Sequence, residues 1–170
     1  MNLKNANIGI IGATGAVGIE ALKLLSEINH PPEKIHLFAS DRSKGKKIKY
    51  LTTELPVKTT SDDSFKKIDV ALISVSSEVS KDLAPKIVNN GGIVIDDGSA
   101  YRMQKNVPLV VPEINENDLD FHEGIVSIPI CTTTPLVMIV DALNSINNCL
   151  LYTSDAADDT PCVDLGGRRI

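Results

Sequence analysis

Residues 8–18 read Ile8-Gly9-Ile10-Ile11-Gly12-Ala13-Thr14-Gly15-Ala16-Val17-Gly18. A short apolar run ends in glycines, and apolar side chains then recur at helical spacing. This order predicts a strand, a glycine turn and a helix. In that position, the spacing Gly-x-x-Gly-x-x-Gly lets the backbone approach a pyrophosphate, whose charge is met by free N–H groups at the helix start. The stretch predicts a dinucleotide site, and the alternative is a plain glycine turn.

The alternation of strands and helices continues along the chain. Further strands are expected at 35–39, 68–73, 93–96, 109–111 and 125–128, and helices at 17–28, 79–88 and 136–143. The Asn-Asn-Gly-Gly segment at 89–92 is typical of a helix C-terminus. Strands that alternate with helices favour a parallel sheet. The predicted class is therefore α/β, with a Rossmann-like, doubly wound and mostly parallel sheet.

Composition and charge narrow the range of functions. The chain has 170 residues, 42% of them apolar, and a formal net charge of −5. This charge offers no basic face for nucleic acid or anionic lipid, and no apolar run approaches the roughly 18 residues of a membrane span. The chain has three Cys without close spacing, which favour neither a disulfide framework nor a zinc site. We expect His30, His36 and His122 at the surface or in turns. Since no export signal precedes the first strand, we expect a cytoplasmic protein.

The end of the chain differs from the rest. Residues 149–159 resemble an in-frame translation of a transposase adaptor used to prepare sequencing libraries, and residues 162–170 resemble its outer primer. Because both matches share one frame and one order, we interpret 149–170 as a non-native tail and exclude it from the fold. The alternative is a natural, poorly ordered tail. Residues 1–148 are then expected to form one NAD(P)-binding domain that ends in the helix after Cys131.

A charged loop follows the second predicted strand. It contains Asp41, Arg42, Ser43 and Lys44. At this position an acidic residue would bond the ribose 2′-OH of NAD, whereas an Arg would accept the 2′-phosphate of NADP. Arg42 and Ser43 favour NADP, Asp41 favours NAD, and a solvated loop without a binding role is the third reading.

Cys131 stands just before the last predicted helix. Thr132, Thr133 and Thr134 are suitable N-cap residues, and Pro135 is tolerated only in a first helical turn. The thiol would therefore lie at the positive end of the helix, where the thiolate is stabilised. A lone Cys is more often a small buried hydrophobe than a nucleophile, so both readings stay open.

Arg102 is the third candidate. It follows the strand at 93–96 closely, on the side where open α/β sheets bind ligands, and its planar guanidinium suits a phosphate or carboxylate. A surface Arg without function is the alternative. Tyr101 and Lys105 also form the Tyr-x-x-x-Lys pair of short-chain dehydrogenases, but Gly98 and Pro108 disfavour the long helix that this pair needs.

Five segments together resemble aspartate-semialdehyde dehydrogenase in order and spacing across residues 7–148. They are residues 12–18, the Arg42-Ser43 loop, residues 94–103, residues 109–115 and Cys131-Thr132-Thr133. The resemblance implies an NADP-binding N-terminal domain. It places Thr14, Gly15, Ala16 and Val17 on the cofactor diphosphate, Arg42 and Ser43 near its 2′-phosphate, and Ser76 and Ser77 close to the nucleotide. Gly12 is expected to be a further cofactor-binding residue.

The resemblance also implies a reaction. Cys131 would be the acyl-accepting nucleophile and Arg102 would bind the phosphate of the substrate, an acyl phosphate. The family reduces 4-phospho-L-aspartate with NADPH to L-aspartate 4-semialdehyde, for lysine, methionine and threonine synthesis, and its full-length members are homo-oligomers. The N-acetyl-glutamyl-phosphate reductase type is an alternative, but Gly-Cys-Tyr is expected there in place of residues 130–132. The second alternative is a non-catalytic NADP-binding relative of the family.

This sequence departs from the family in three respects. Ile128-Pro129-Ile130 stands where the family usually has Asn-Pro-Asn, and Gly98 replaces a common Ser. The catalytic and dimerisation domain, which carries the family's general base and substrate carboxylate clamp, is expected to be missing beyond residue 148. We therefore expect this chain to be inactive alone, because a thiolate without those partners cannot complete turnover.

Overall fold

The structure is a computed structural model that describes residues 5–60 and 62–146. The predicted tail at 149–170 lies outside these residues. The chain divides into two compact units, Met1–Ile130 and Cys131–Ile170. Each unit is described by itself.

The first unit contains one seven-stranded sheet. Its strands are β1 (Ile8–Ile11), β2 (Ile35–Phe38), β3 (Lys47–Tyr50), β4 (Thr53–Lys58), β5 (Val70–Ile73), β6 (Ile93–Asp96) and β7 (Ile125–Ser127). Their spatial order is β3-β4-β2-β1-β5-β6-β7. Every neighbouring pair is parallel except β3 and β4. The predicted mostly parallel, doubly wound sheet is confirmed. Its order reverses at β1, where chain segments leave towards β2 on one side and β5 on the other.

Among the described residues of the first unit, three α-helices accompany the sheet, namely α1 (Ala16–Glu27), α2 (Ser77–Asn89) and the short α3 (Pro112–Asn115). The C-terminus of α2 follows the prediction. Gly91 has φ +87°, its N–H donates to the Val88 carbonyl, and the Gly92 N–H donates to the Ile87 carbonyl. This pair of bonds satisfies carbonyls that the end of a helix leaves free. The second unit contains α4 (Thr133–Ile146).

Two apolar clusters hold the first unit together. Successive residues of a strand face opposite sides of the sheet, so Ile10 and Leu37 enter one cluster while Ile11 and Phe38 enter the other. Phe38 and Phe65 form a ring contact at 5.9 Å between centroids. Most remaining core side chains are Ile, Leu, Val and Ala, as the low aromatic content requires.

Two predictions of local structure are wrong. Residues 109–111 do not form a strand: Leu109 makes a single parallel bridge with Ser127, and Pro112 at once begins α3. His30 is fully buried rather than at the surface. Its Nε2 lies 3.1 Å from the Ala6 carbonyl oxygen, and the Tyr50 hydroxyl donates to the His30 carbonyl at 2.7 Å. These contacts come from segments distant in sequence.

The antiparallel hairpin of β3 and β4 was not predicted. The segment Lys47-Ile48-Lys49-Tyr50 alternates polar and apolar residues, which is the pattern of a strand buried on one face. Tyr50 is buried and the two Lys are exposed. Within the described residues, no helix is long and apolar enough to cross a membrane.

Candidate functional site

A cleft of about 660 Å³ opens at the carboxyl ends of four parallel strands. Most of the residues lining it lie within a few residues of the ends of β1, β2, β4 and β5, and Val79 and Leu83 of α2 complete the wall. The lining residues include Gly12, Thr14, Gly15, Ser40, Asp41, Arg42, Thr59, Thr60, Ser74 and Ser76. Ligands of open α/β sheets bind outside this edge, where the strand order reverses. The topology therefore brings the glycine turn, the Arg42 loop and Ser76 to one cavity.

Gly12 makes the tight turn after β1. It has φ +91°, and its N–H and that of Ala13 both donate to the Phe38 carbonyl, at 2.9 and 3.0 Å. A Cβ at this position would collide with the backbone carbonyl oxygen of Ser74. Only glycine combines this backbone conformation with such a close approach of β1 and β5.

Gly18 brings α1 onto the turn. It is buried, and a Cβ there would lie 2.7 Å from the Ala13 Cα and 2.6 Å from the Gly12 carbonyl oxygen. Thr14, Gly15, Ala16 and Val17 are all exposed. Gly15 is the N-cap residue, with no side-chain cap and no acidic residue in the first turn. The positive end of α1 thus has no carboxylate of its own helix to neutralise it, as an anion site requires.

The loop after β2 forms a short 3₁₀ turn, Asp41–Ser43. Asp41 and Arg42 are exposed and both line the cleft. Ser43 is instead buried, with its hydroxyl 3.5 Å from that of Thr14 and its N–H donating to the Ser40 carbonyl. The exposed Arg42 thus forms part of the cleft wall, whereas the Ser43 side chain links the loop to the glycine turn.

The two serines after β5 differ in position. Ser76 is the exposed N-cap of α2 and lines the cleft. The Ser77 hydroxyl lies 3.0 Å from the Ser99 hydroxyl, which joins the start of α2 to the loop after β6. That loop carries Arg102.

Two backbone carbonyls hold Arg102 in place. Its Nε donates to the Ile128 carbonyl at 3.0 Å, and its Nη2 donates to the Asp97 carbonyl at 2.6 Å. The side chain is half-buried. Two donors thus fix the plane of the guanidinium, and Nη1 has no protein acceptor among the described residues. This arrangement suits a phosphate or carboxylate, which binds to two N–H groups in one plane.

Cys131 belongs to the second unit. It is a free, exposed thiol two residues before Thr133, the first residue of α4. The alternative of a buried core cysteine does not hold. The preceding residue, Ile130, is also exposed, at 51% of its surface. Among residues 5–60 and 62–146, no group of three or more His, Cys, Asp or Glu could hold a metal ion.

A second cavity, of about 600 Å³, lies at the opposite edge of the sheet, where the parallel strands begin. Its lining includes Asn7, Lys34, His36, Lys67 and Asp69. Burial and the charges of Lys58, Lys67 and Lys34 lower the pKa of His36. The Asn7 backbone N–H and side-chain amide hold the Asp69 carboxylate and lower its pKa. No predicted site residue lies here.

Sequence reasoning missed part of the cleft wall. Ser40, Thr59, Thr60 and Ser74 line it, and each directly follows a parallel strand or lies a residue or two beyond one. That position is the signal that could have identified them once β4 was recognised. It also missed Asp96, a fully buried carboxyl at the end of β6.

Comparisons with known proteins agree with this geometry. Residues 7–122 match the family model described as semialdehyde dehydrogenase, NAD binding domain. The aspartate-semialdehyde dehydrogenase of Bacillus subtilis is 40% identical over 156 residues, which cover 90% of this chain and 45% of that protein. The chain therefore spans about half the length of the curated relatives it matches.

Two solved structures have the same fold. Aspartate semialdehyde dehydrogenase II from Vibrio cholerae, complexed with ASA, superposes with a TM-score of 0.76 at 33% identity, over 82% of this chain and 46% of that one. The aspartate semialdehyde dehydrogenase from Candida albicans, solved with NADP, superposes with a TM-score of 0.64 at 29% identity. The match covers 82% of this chain and 47% of that one. The resemblance drawn from the motifs is confirmed. Because the family model covers more than half of the chain, the chain belongs to the semialdehyde dehydrogenase family and contains its NAD-binding domain.

Proposed function

We propose that this chain is the nucleotide-binding part of an aspartate-semialdehyde dehydrogenase, with NADP(H) as cofactor and 4-phospho-L-aspartate as substrate. The observation that carries the proposal is the cleft at the carboxyl edge, where Gly12, Gly15, Arg42 and Ser76 face one cavity. The identity to aspartate-semialdehyde dehydrogenases supports the substrate, and the Candida structure with NADP supports the cofactor.

The residues present fit a dinucleotide phosphate. A side chain at Gly12 would fill the space against Ser74, and the start of α1 offers N–H groups without an acidic side chain in its first turn. Arg42, exposed at the same cleft, would hold the 2′-phosphate. Bound NADPH supplies a hydride.

The chain's own residues would carry out the acyl transfer. The Cys131 thiolate attacks the acyl carbon, a C–S bond forms, and the C–O bond to the phosphate breaks. Arg102 binds the departing phosphate through its guanidinium. The resulting thioester carbonyl is more electrophilic than a carboxylate, so it can accept the hydride that a carboxylate could not. Exposure of the thiol just before α4 supports this role for Cys131.

The cofactor choice is tested at Arg42. Replacing Arg42 by Ala is expected to weaken NADP⁺ binding by about ten- to a hundredfold, because a charge-assisted contact to the 2′-phosphate is lost. NAD⁺ lacks that phosphate, so its affinity should change by no more than about twofold. Isothermal titration of both nucleotides into the chain gives the two dissociation constants.

Lys44→Ala is the matched control for this experiment. Lys44 is exposed in the same loop but does not line the cleft, and its loss removes one positive charge from the same surface. It should leave NADP⁺ affinity nearly unchanged. Equal losses in the two variants would show general electrostatics instead of a 2′-phosphate site.

A further inference from the structure

Asp96 is a buried carboxyl group with an incomplete set of partners. It ends β6 and is fully buried. Its Oδ1 accepts a hydrogen bond of 2.6 Å from the Ser80 hydroxyl on α2, which is itself fully buried. Its Oδ2 has no hydrogen-bond partner of good geometry among the described residues, although the nearby Gly98 N–H lowers the pKa of the carboxyl group. A buried carboxylate oxygen without a well-aligned donor is costly, so a carboxyl group at this position calls for a physical reason.

The backbone around Asp96 leads directly to Arg102. The Asp96 carbonyl accepts from the Ile128 N–H at 3.0 Å, and the Ile128 carbonyl accepts from Arg102 Nε at 3.0 Å. Arg102 Nη2 donates to the carbonyl of Asp97, the residue after Asp96. These bonds close a ring that passes from Asp96 through Ile128 and Arg102 to Asp97. The ring runs through the backbone of Asp96, and the Asp96 carboxyl group is close enough to Arg102 for the two charges to interact.

We propose that Asp96 is a positioning residue for Arg102, and that the charge on its carboxyl group sets how strongly the guanidinium binds an anion. This inference rests on the proposed function, since it takes Arg102 as the phosphate-binding residue. An ionised Asp96 adds a negative charge near the guanidinium and offsets part of its positive charge. A protonated Asp96 leaves the full positive charge of Arg102 to the anion.

The charged and titratable groups around Asp96 define the direction of the effect. Burial raises the pKa of Asp96, the Ser80 hydroxyl lowers it, and the charge of Asp97 raises it. The Gly98 N–H and the charge of Arg102 lower it, and the net pKa lies above the usual range for Asp. The pKa of Tyr101 is raised by burial and by Asp96 itself. The anion site should therefore weaken as pH rises through the raised pKa of Asp96.

A substitution at Gly98 offers an independent way to change the protonation of the Asp96 carboxyl group. A Cβ at Gly98 would lie 3.4 Å from Asp96 Oδ2 and 3.5 Å from Oδ1, in ordinary van der Waals contact. A serine fits there, and its hydroxyl can donate to the unpartnered Oδ2. Such a bond stabilises the ionised carboxylate and lowers its pKa. Gly98→Ser should thus move the titration without removing the carboxyl group.

The test uses sulfate, a tetrahedral dianion that does not itself titrate between about pH 4.5 and 8. Isothermal titration of sulfate into the chain is repeated across that range. In the wild type, sulfate affinity should fall about three- to tenfold as pH rises. Asp96→Asn should remove this fall, and Gly98→Ser should shift its midpoint down by about one pH unit with the amplitude kept.

Asp97→Asn is the matched control, because it removes a neighbouring negative charge while keeping the carbonyl that Arg102 binds. It should retain the pH-dependent fall. An Asp96→Asn profile that follows the wild type would overturn the inference while leaving the proposed function intact. Sulfate binding that is unchanged in Arg102→Ala at every pH, or absent in the wild type, would overturn both. If Asp96→Asn does not fold, Gly98→Ser decides alone: an unmoved midpoint contradicts the inference.

Discussion

Replacing Gly12 by Ala is expected to destabilise the chain by about 2–5 kcal/mol and to abolish measurable NADP⁺ binding. Gly12 has φ +91°, and an added Cβ would strike the Ser74 carbonyl oxygen. That oxygen belongs to the backbone directly after β5, so the collision cannot be relieved by a side-chain rotation. Urea denaturation gives the free energy of unfolding, and isothermal titration gives the affinity for NADP⁺.

Gly45→Ala is the control for Gly12→Ala. Gly45 also has a left-handed backbone, with φ +80°, but nothing lies within 4 Å of the position of its Cβ. Only the conformational penalty should remain, about 1–2 kcal/mol, with NADP⁺ affinity largely retained. If the two variants lost equal stability and equal affinity, the close packing of the glycine turn on β5 would not matter for the cofactor.

Replacing Cys131 by Ser is expected to lower dehydrogenase activity by at least about 10⁴-fold in a full-length enzyme that carries this sequence. A serine hydroxyl is not ionised near neutral pH, so it cannot form the acyl intermediate at a useful rate. The assay follows NADPH formation from aspartate semialdehyde in the presence of phosphate. The control is Thr132→Ser, which removes one methyl group at the adjacent residue and should keep most of the activity. If Cys131→Ser kept more than a tenth of the wild-type activity, Cys131 would not be the nucleophile.

The thiol can also be tested in this chain. We propose that the start of α4 makes the Cys131 thiol more reactive in the folded chain. Iodoacetamide at about pH 7 should then modify Cys131 roughly tenfold faster than the same cysteine in a peptide of residues 128–135. Mass spectrometry of the proteolysed chain separates Cys131 from Cys149 and Cys162. Equal rates in chain and peptide would show that the thiol is not activated by its helix.

The parts of the fold that follow from local chemistry could be predicted from the sequence. The order of β1, glycine turn and α1 is encoded within residues 8–27, and the end of α2 is fixed by Gly91. Both depend on backbone conformations that few residues adopt. The same local signals located the glycine turn and the loop of Arg42, because each directly follows an apolar strand.

Features that depend on distant segments could not be predicted. His30 is buried because the carbonyl of Ala6 and the hydroxyl of Tyr50 meet it there. Ser43 turns inwards to Thr14, and Arg102 is fixed by the carbonyl of Ile128, 26 residues away. No periodicity in the sequence specifies these pairings, since they arise only when the sheet assembles.

The hairpin of β3 and β4 was missed for a different reason. Lys47, Lys49 and Glu54 make its outer face polar, so the segment lacks the continuous apolar run of the central strands. It occupies the edge of the sheet, where one face meets solvent and Lys side chains discourage further pairing. Pairing of β4 with β2 in turn completes the cleft with Thr59 and Thr60.

Hydrogen–deuterium exchange of the chain with and without NADP⁺ tests most directly where the cofactor binds. NADP⁺ should slow exchange in the segments 12–18, 39–43 and 74–77, which surround the cleft at the carboxyl edge. Peptides that contain Lys34 and Lys67, at the opposite edge, should not change. If protection were confined to that opposite edge, or if the glycine turn showed none at saturating NADP⁺, the cofactor would not bind in the cleft at the carboxyl edge.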